Sequence, residues 1–552
     1  MNFYLLEQKL KNLIRKEIEK EKAKKILEKL KVFLIQDEKL GDYSTNLIFL
    51  LKEFAPEKEI FFIEKIKKEF ISTRINADFN ADKRGSGKKF NGFSKIDIVN
   101  NYLNFYLSDY ALLKTFRAIY KNKEKFFKQN YGRNQKLNID YVSANPTGPL
   151  TLGNARGAIL GDVLSNILKL AGFRVTKEYY VNDRGTQIEI LGKTILAHLG
   201  KIPWENNFYQ GEYLKEITSR IRAKLDTGQA PEKIGKKVAD YILNNFIKPS
   251  LKKFGTFHDW YFFETELYKN NIDKKVLKIL KKKNLIKERD RALFLLLTKL
   301  GEDKDEVLIK KTGEPTYFFS DILHYYYKFF IKKNKIEILI VASDHLDHIR
   351  RLKSALKIFG IKNHQFIPIV YQFVHLKKGE EYLRMSKRRG VFITLEDLIN
   401  EIDPGIVRFF FLQKSPEVVI EFDLDLAKKE SEENPYWYVQ YAYARLNSIL
   451  EKAEKRSNID PQKVFLAIKD TESVKIILRK IHQFQDLIYL IYKEKRVNLL
   501  VEYLISLAKK IHNFYEKEKI LPDRRKIAFV YFLREFLGFV LLCLQIKPVK
   551  KI

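Results

Sequence analysis

One segment, residues 140–157 (DYVSANPTGPLTLGNARG), constrains the fold more than any other part of the chain. The apolar residues at 137–142 predict a buried strand, and a loop bounded by Gly and Pro leads from it into a helix predicted over 155–170. A second strand predicted over 174–181 completes a right-handed βαβ unit. Such a loop receives phosphates in α/β domains, because the first amides of the helix are free and partly positive. By itself, the segment fits an ordinary tight α/β turn equally well.

The chain has 552 residues, which is too long for one core and predicts several domains. Residues 1–115 combine helical periodicity with two alternating strands, which predicts a small α+β module. Residues 116–412 predict an α/β domain with a parallel sheet and a helical, Lys-rich insertion at about 195–300. A second buried strand is predicted at 336–343. Residues 413–552 predict an all-α helical bundle, since the strand pattern disappears from about Ala427.

The charge is strongly basic, with 103 Lys and Arg against 69 Asp and Glu, a formal net charge of +34. A Lys-biased composition explains this excess as well as a polyanionic partner such as nucleic acid does. The single cysteine, Cys543, excludes an intrachain disulfide and a multi-cysteine metal site. The N-terminal residues carry no apolar signal region, and the longest apolar run, 536–544, is shorter than a membrane span. We therefore expect a cytoplasmic protein without a membrane partner.

A second motif lies at residues 380–390 (EEYLRMSKRRG), downstream of the second buried strand. A run of charges is usually a solvated surface, and Arg388 and Arg389 fit that interpretation. Ser386 and Lys387 near a glycine instead suit a mobile loop that neutralises charge on a leaving pyrophosphate.

These motifs, in a split nucleotide domain followed by a helical bundle, resemble the class I aminoacyl-tRNA synthetases and, within that class, the arginyl-tRNA synthetase family. The resemblance covers nearly the whole chain and is carried by collinear segments at residues 143–150, 178–187, 209–214, 257–268, 303–310, 320–329, 342–356, 408–412, 422–427 and 434–445. It implies a Rossmann-type catalytic domain between an N-terminal module that binds the tRNA D-loop and a C-terminal anticodon-binding bundle.

The resemblance further implies ATP-dependent activation of L-arginine to arginyl-adenylate, followed by transfer to the 3′ end of tRNA-Arg. Activation in this family typically waits for bound tRNA. Mg²⁺ is expected to arrive with ATP, without metal ligands from the protein. We expect a monomer.

The resemblance assigns roles to particular residues. Fixed carboxylates suit the planar fork of a guanidinium, and the arginine-binding set is Asp140, Ser143, Asn145, Gln187, Tyr317 and Asp321. Asp140 and Asp321 pair with the guanidinium, Tyr317 adds a hydroxyl or ring contact, and Ser143 and Asn145 hold the α-amino and carboxylate groups. The catalytic set is Thr151, Asn154, Ser386 and Lys387, and the ATP-binding set is Gly153, Asn154, Arg156, Asp344, His345, Gln372, Val374, Met385 and Lys387. The tRNA-binding set is Asn46, Tyr102, Tyr436, Trp437 and Tyr443.

The chain departs from the family at the class signature His-x-Gly-His, which reads Thr151-Leu152-Gly153-Asn154. Thr151 and Asn154 still offer hydrogen-bond donors, and Arg156 is expected to supply compensating charge. Two other classes remain open: a non-catalytic RNA-binding relative, and a nucleotidyl-transferring enzyme that ignores tRNA. The DHLDH segment, 344–348, allows a metal site or a position beside the ATP ribose, and the strand before it favours the second.

Overall fold

The computed structural model describes residues 2–35, 40–71, 92–382, 394–453, 464–465 and 471–552. Met385, Ser386 and Lys387, which the sequence predicts to act at the phosphates, lie outside these ranges. No helix within these ranges is both long and apolar enough to cross a membrane.

The N-terminal module is a four-stranded antiparallel sheet covered by helices, in the strand order β1-β2-β4-β3. Its first helix begins where the side chain of Asn2 accepts a hydrogen bond from the Leu5 amide. The predicted strands at the end of the module are confirmed. The elements are α1 (Phe3–Glu17), α2 (Lys20–Lys29), β1 (Val32–Leu34), β2 (Tyr43–Thr45), α3 (Leu47–Phe54), α4 (Glu59–Phe70), β3 (Phe93–Val99), β4 (Tyr102–Leu107) and α5 (Asp109–Asn122).

The central domain is built on a five-stranded parallel sheet with the order β12-β11-β5-β6-β7. The predicted βαβ unit is confirmed, although its helix begins earlier than predicted because Thr151 caps it. Its interior strands are largely buried and carry polar residues among the apolar ones, namely Asn138 and Asp140 on β5, Lys177 and Glu178 on β6, and Glu337 on β11. The elements of this part are β5 (Lys136–Asp140), α6 (Leu152–Leu170), β6 (Arg174–Val181), α7 (Thr186–His198), α8 (Glu212–Ile221), α9 (Pro231–Ile242), α10 (Lys248–Lys253) and β7 (Trp260–Phe263).

The region predicted as a helical insertion is interrupted by strands. β7 pairs with β6 and so belongs to the five-stranded parallel sheet. A separate three-stranded antiparallel sheet, in the order β10-β9-β8, follows it. The elements are α11 (Thr265–Lys269), α12 (Ile272–Lys282), β8 (Ile286–Arg289), β9 (Ala292–Leu295), β10 (Glu306–Ile309), α13 (Tyr317–Tyr326), β11 (Ile336–Ala342), α14 (Leu346–Lys357) and β12 (Phe366–Tyr371).

The remaining elements form a small sheet and the helical bundle. β13 (Val374–Lys378) pairs with β14 (Glu381–Tyr382) and with β15 (Ile420–Asp423). The helices that follow β14 are α15 (Leu395–Glu401), α16 (Pro404–Leu412), α17 (Leu424–Lys428), α18 (Pro435–Lys452), α19 (Glu472–His482), α20 (Phe484–Glu494), α21 (Asn498–Lys517) and α22 (Arg524–Cys543). β15 lies inside the range 413–552 that was predicted to be all α-helical, and it forms because it pairs with β13. Within the described residues, no strand follows β15, in agreement with the loss of the strand pattern from about Ala427.

Asp486 of α20 joins the N-terminal module to the bundle. Its carboxylate accepts hydrogen bonds from the Phe3 amide at 2.6 Å and from the Tyr43 hydroxyl at 2.8 Å. The side chain is fully buried, and burial raises the pKa of Asp486 to about 7. A charge buried here is therefore unfavourable, although the two hydrogen bonds that the carboxylate accepts offset part of that cost.

This burial predicts a pH-dependent stability. An unfolded Asp titrates near ~3.9, so from there up to about pH 7 the folded chain holds a proton that the unfolded chain has lost. The resulting stabilisation is full at low pH and disappears as the pH rises through about 7. We expect the melting temperature to fall between about pH 6 and about pH 8.5, and to fall less in the neutral Asp486→Asn variant. Thermal melts at the two pH values measure this. Equal slopes in both proteins would contradict it, and Asp347→Asn, at an exposed aspartate, is the control.

Candidate active site

A cavity of about 1310 Å³ opens at the carboxyl ends of β5, β6 and β11. The chain passes from β5 to β6 on one side, while β11 pairs with the other side of β5. This is the point where the strand order of the sheet reverses, and ligands bind to open α/β sheets in the crevice at such a point.

Asp140 forms the floor of the cavity at the end of β5 and is only 3% exposed. The Ser143 hydroxyl donates to its carboxylate at 2.5 Å and accepts from the Tyr180 amide at 2.9 Å. A tight turn brings Ser143 back, because Val142 has φ 70° and the Ser143 amide donates to the Tyr141 carbonyl. Positive φ at a β-branched residue is strained, and such strain collects at functional sites. Ser143 therefore orients Asp140, which differs from its predicted contact with the substrate's α-groups.

Asp321, from α13, lines the same cavity together with Tyr317. One carboxylate oxygen of Asp321 is 2.6 Å from Nε2 of His348 on α14. The hydrogen bond to Asp321 raises the pKa of His348 against the opposing effect of burial. Two carboxylates, Asp140 and Asp321, thus reach one cavity from a strand and a helix, as the sequence predicts.

The start of α6 forms another wall. Both the amide and the hydroxyl of Thr151 donate to Oδ1 of Asn154, at 3.0 and 2.9 Å. The Thr151 proton is therefore already used, while the amide nitrogen of Asn154 keeps its donors. A Cβ at Gly153 would meet only the Thr151 hydroxyl, at 3.9 Å, so the backbone at Gly153 is accessible from the cavity. The first amides of a helix have no partner within it and suit an anion.

Arg156 and Gln372 were predicted to bind ATP, but neither lines the cavity. Arg156 is fully buried, and its guanidinium donates to the carbonyls of Gln372 at 2.7 Å and Ser415 at 2.9 Å. Burial lowers the pKa of Arg156 to about 10. Its charge is thus used to fasten the β12–β13 connection onto α6, where it cannot compensate for the missing histidines.

The other predicted residues of the two substrate sets lie around the cavity: Asn145, Gln187, Asp344, His345 and Val374. Within the DHLDH segment the side chains separate, since His348 turns to Asp321 while Asp344 and His345 remain largely exposed. Among the described residues, the group with metal-ligand spacing is instead Asp140, Glu178 and His324.

Sequence reasoning missed a wall contributed by residues 206–213. The Tyr213 hydroxyl donates to the Thr147 carbonyl at 2.9 Å, and a Cβ on Gly148 would meet that hydroxyl at 2.9 Å. Gly148 is therefore needed for contact with a tyrosine ring. Tyr209 lies beside it, and the YQGEYL segment that holds both tyrosines carried part of the family resemblance.

The predicted tRNA contacts in the bundle differ in exposure. Tyr436 is only 4% exposed and packs against Phe409 and Gly405, so it cannot stack on a base in this arrangement. Trp437 and Tyr443 are half-buried, and Tyr443 packs beside Gly538. Aromatic residues at helical spacing serve the core here, at least in part.

In the N-terminal module, Tyr102 is 43% exposed and its ring lies 6.1 Å from the exposed ring of Phe33. Asn46 accepts from the Lys31 amide and donates to the Lys29 carbonyl. Tyr102 is thus available to a partner, whereas Asn46 ties β1 to the end of β2.

Comparison with known proteins decides the family. The model described as "tRNA synthetases class I (R), catalytic domain" matches residues 115–410, and "DALR anticodon binding domain" matches residues 439–552. Arginine–tRNA ligase from Thermotoga maritima is 34% identical over 449 residues, 79% of this chain and 82% of that protein. The chain belongs to the arginyl-tRNA synthetase family. The arginine–tRNA ligase of Staphylococcus carnosus is 33% identical over 91% of this chain and 90% of its own length. The solved arginyl-tRNA synthetase of Thermus thermophilus shares the fold, with a TM-score of 0.72 at 20% identity over 99% of this chain and 100% of that one.

Proposed function

We propose that this arginyl-tRNA synthetase family member ligates L-arginine to tRNA-Arg through arginyl-adenylate, at the expense of ATP. One observation carries the proposal: Asp140 and Asp321 line the same cavity as the open start of α6. The cavity can therefore bind a cationic side chain at the two acids and an anionic phosphate at the start of α6. Amino-acid activation requires both substrates to be held close together in this way.

The two carboxylates bind the guanidinium through charge-assisted hydrogen bonds, and Asp321 contributes the oxygen that does not contact His348. Tyr317 contacts the same group from the cavity wall, while Asn145 and Gln187 hold the α-amino and carboxylate groups. Ser143 acts on Asp140, as its hydrogen bond indicates. A neutral analogue such as citrulline would leave a buried acid unpaired, which favours its rejection by a factor on the order of 10⁴.

In the first step, the arginine carboxylate attacks the α-phosphate of ATP and pyrophosphate leaves. Gly153 and Asn154 receive the phosphates at the start of α6, and Asp344, His345 and Val374 contact the nucleoside. Thr394 forms a bridge to Thr151, and the Leu395 amide donates to the Leu150 carbonyl at 2.8 Å. The chain following Met385, Ser386 and Lys387 thus returns to the start of α6, which supports a role for Lys387 at the leaving pyrophosphate. Mg²⁺ comes with ATP.

In the second step, a hydroxyl of the 3′-terminal ribose of tRNA-Arg attacks the carbonyl carbon of arginyl-adenylate, an ester forms as the acyl–phosphate bond breaks, and AMP leaves. The net charge of +34 favours long-range attraction of the RNA, and exposed Tyr102 together with half-buried Trp437 and Tyr443 offer rings for stacking. We propose a cytoplasmic monomer, and light scattering on the purified chain tests its oligomeric state.

We expect purified chain to charge tRNA-Arg with arginine and to exchange pyrophosphate into ATP only when tRNA is present. Lys387→Met should abolish exchange, whereas Lys357→Met, at an exposed lysine on α14, should not. Radiolabelled exchange assays with and without tRNA measure both. Binding of tRNA without exchange would favour the non-catalytic RNA-binding alternative. Exchange without any charging would favour a nucleotidyl transferase that ignores tRNA.

A further inference from the structure

Lys328 places a fully buried ammonium group directly beneath the cavity floor. Its Nζ lies 3.0 Å from Glu178, 3.1 Å from Glu337 and 3.7 Å from Asp140. Lysine is almost never buried completely unless it is paired. None of the roles proposed above involves this group.

The local fold explains why these charges meet. Asp140 is opposite Glu178 across the β5–β6 pair, and Glu337 lies on β11 at the other side of β5. Lys328 follows α13 in a π-helical turn, Tyr327–Ile331. Such turns are rare and often occur at functional sites, because the wider turn changes where the following side chains point.

The cluster holds more acidic than basic side chains, and burial raises the pKa of Glu337 as well as that of Asp140. Three carboxylates, Asp140, Glu178 and Glu337, face one ammonium and the imidazole of His324, which is 2.6 Å from Glu178. Burial favours the neutral form of each acid. At Asp140 burial prevails over the opposing effect of Lys328, and the pKa of Asp140 is raised above its usual range. At Glu178 the positive charges of Lys328 and His324 prevail over burial, and the pKa of Glu178 is held at about 2.

The same contacts argue against a metal ion at Asp140, Glu178 and His324. The ammonium of Lys328 already touches Glu178 and approaches Asp140, so a cation is present between them. Glu178 and Glu337 outweigh burial and keep the pKa of Lys328 well above its usual range. The group therefore stays charged throughout the neutral range.

We propose that Lys328 is a positioning residue for arginine recognition: its ammonium keeps the Asp140 carboxylate charged before arginine arrives, so that the guanidinium binds without displacing a proton. The inference rests on the proposed pairing of Asp140 with arginine. Other groups facing Asp140 and Lys328 are Glu178 from β6, Glu337 from β11, His324 and Tyr325 from α13, and the Ser143 hydroxyl. Glu178 opposes the charge on Asp140, whereas Ser143 supports it.

The test is the pH dependence of arginine binding to the full chain, measured by isothermal titration calorimetry. His348, which contacts Asp321, is present in every variant, so the comparison is between the slopes of arginine affinity against pH in the wild type and in each variant between about pH 6.5 and about pH 8.5. In Lys328→Met, Asp140 should hold a proton that arginine must displace. The Kd should then rise roughly tenfold for each unit of falling pH, and the binding heat should depend on the buffer's ionisation heat. Lys335→Met, at an exposed lysine nearby, should behave like the wild type.

A second variant removes a negative charge from the same cluster. Glu337→Gln keeps the shape of a residue that contacts Lys328 and Asn138. In Glu337→Gln, the pH below which arginine affinity falls should be lower than in the wild type. In Lys328→Met, that pH should be higher. A purely structural role would not shift the two profiles in opposite directions.

Either of two results would overturn the inference: a folded Lys328→Met variant with the wild-type pH profile, or a Glu337→Gln profile that is unchanged or shifted to higher pH. Asp140→Asn separates this failure from failure of the proposed function. If Asp140→Asn binds arginine as tightly as the wild type, the pairing itself is wrong and both proposals fail.

Discussion

Replacing Asp321 by asparagine is expected to raise the KM for arginine by about 100-fold, because losing one partner of a desolvated charge pair costs ~2–5 kcal/mol. Asp321 already gives one oxygen to His348 at 2.6 Å, so a single oxygen remains for the guanidinium. In asparagine one oxygen becomes an amide that donates, and either His348 or the substrate then faces a donor. Steady-state charging at saturating ATP and tRNA measures the effect.

The matched control is Asp347→Asn, at an exposed acid on the same helix as His348. It preserves the cavity lining and should leave the KM unchanged. Discrimination between arginine and citrulline should shrink in Asp321→Asn and persist in the control. A KM within twofold of wild type, in a folded Asp321→Asn variant, would show that Asp321 does not bind the guanidinium.

The main fold followed from periodicity where elements are long and apolar. β5, α6 and β6 lie close to their predicted ranges, and α6 begins three residues earlier than predicted. They could be located because buried elements show an apolar pattern in the sequence. β7 was missed because a four-residue aromatic run, Trp260–Phe263, is too short to distinguish a strand from its neighbours. β8 is almost entirely charged (IKER), so its strand comes from pairing with β9 and not from its own pattern.

Asp140 offered a signal of its own, because an acid within a strand beside a loop is unusual, whereas Asp321 was assigned only through the family resemblance. The orientation of the Arg156 side chain could not be predicted, because its guanidinium binds the carbonyls of residues 372 and 415, which are distant in sequence. Lys328 was missed for a related reason: a π-helical turn changes which face the lysine takes. Glu178 and Glu337 did offer a signal, because acids inside two buried strands require a buried cation nearby.

Replacing Arg408 by methionine is expected to destabilise the chain by ~3 kcal/mol, because the buried Asp162 loses one of its two cationic partners and the Leu544 and Phe254 carbonyls lose their donor. Arg408 is 1% exposed and donates to Asp162 at 2.6 Å and to the Leu544 carbonyl at 2.8 Å. It also donates to the Phe254 carbonyl at 3.2 Å. One guanidinium therefore joins α16, α6, the segment after α10 and the end of α22. Urea unfolding followed by circular dichroism measures the shift in midpoint.

Two further variants separate charge from geometry at this site. Arg408→Lys keeps the charge but cannot span the same acceptors, because it lacks the planar fork of donors, so we expect an intermediate loss. Arg525→Met removes an exposed arginine whose partner is Asp523, and it should leave the urea midpoint essentially unchanged, because exposed ion pairs contribute little to stability. Asp162 keeps Lys177 at 2.6 Å in every variant. An Arg408→Met variant with the wild-type urea midpoint would contradict the prediction. It would show that Lys177 alone neutralises Asp162 and that the contacts of Arg408 between these helices do not stabilise the fold.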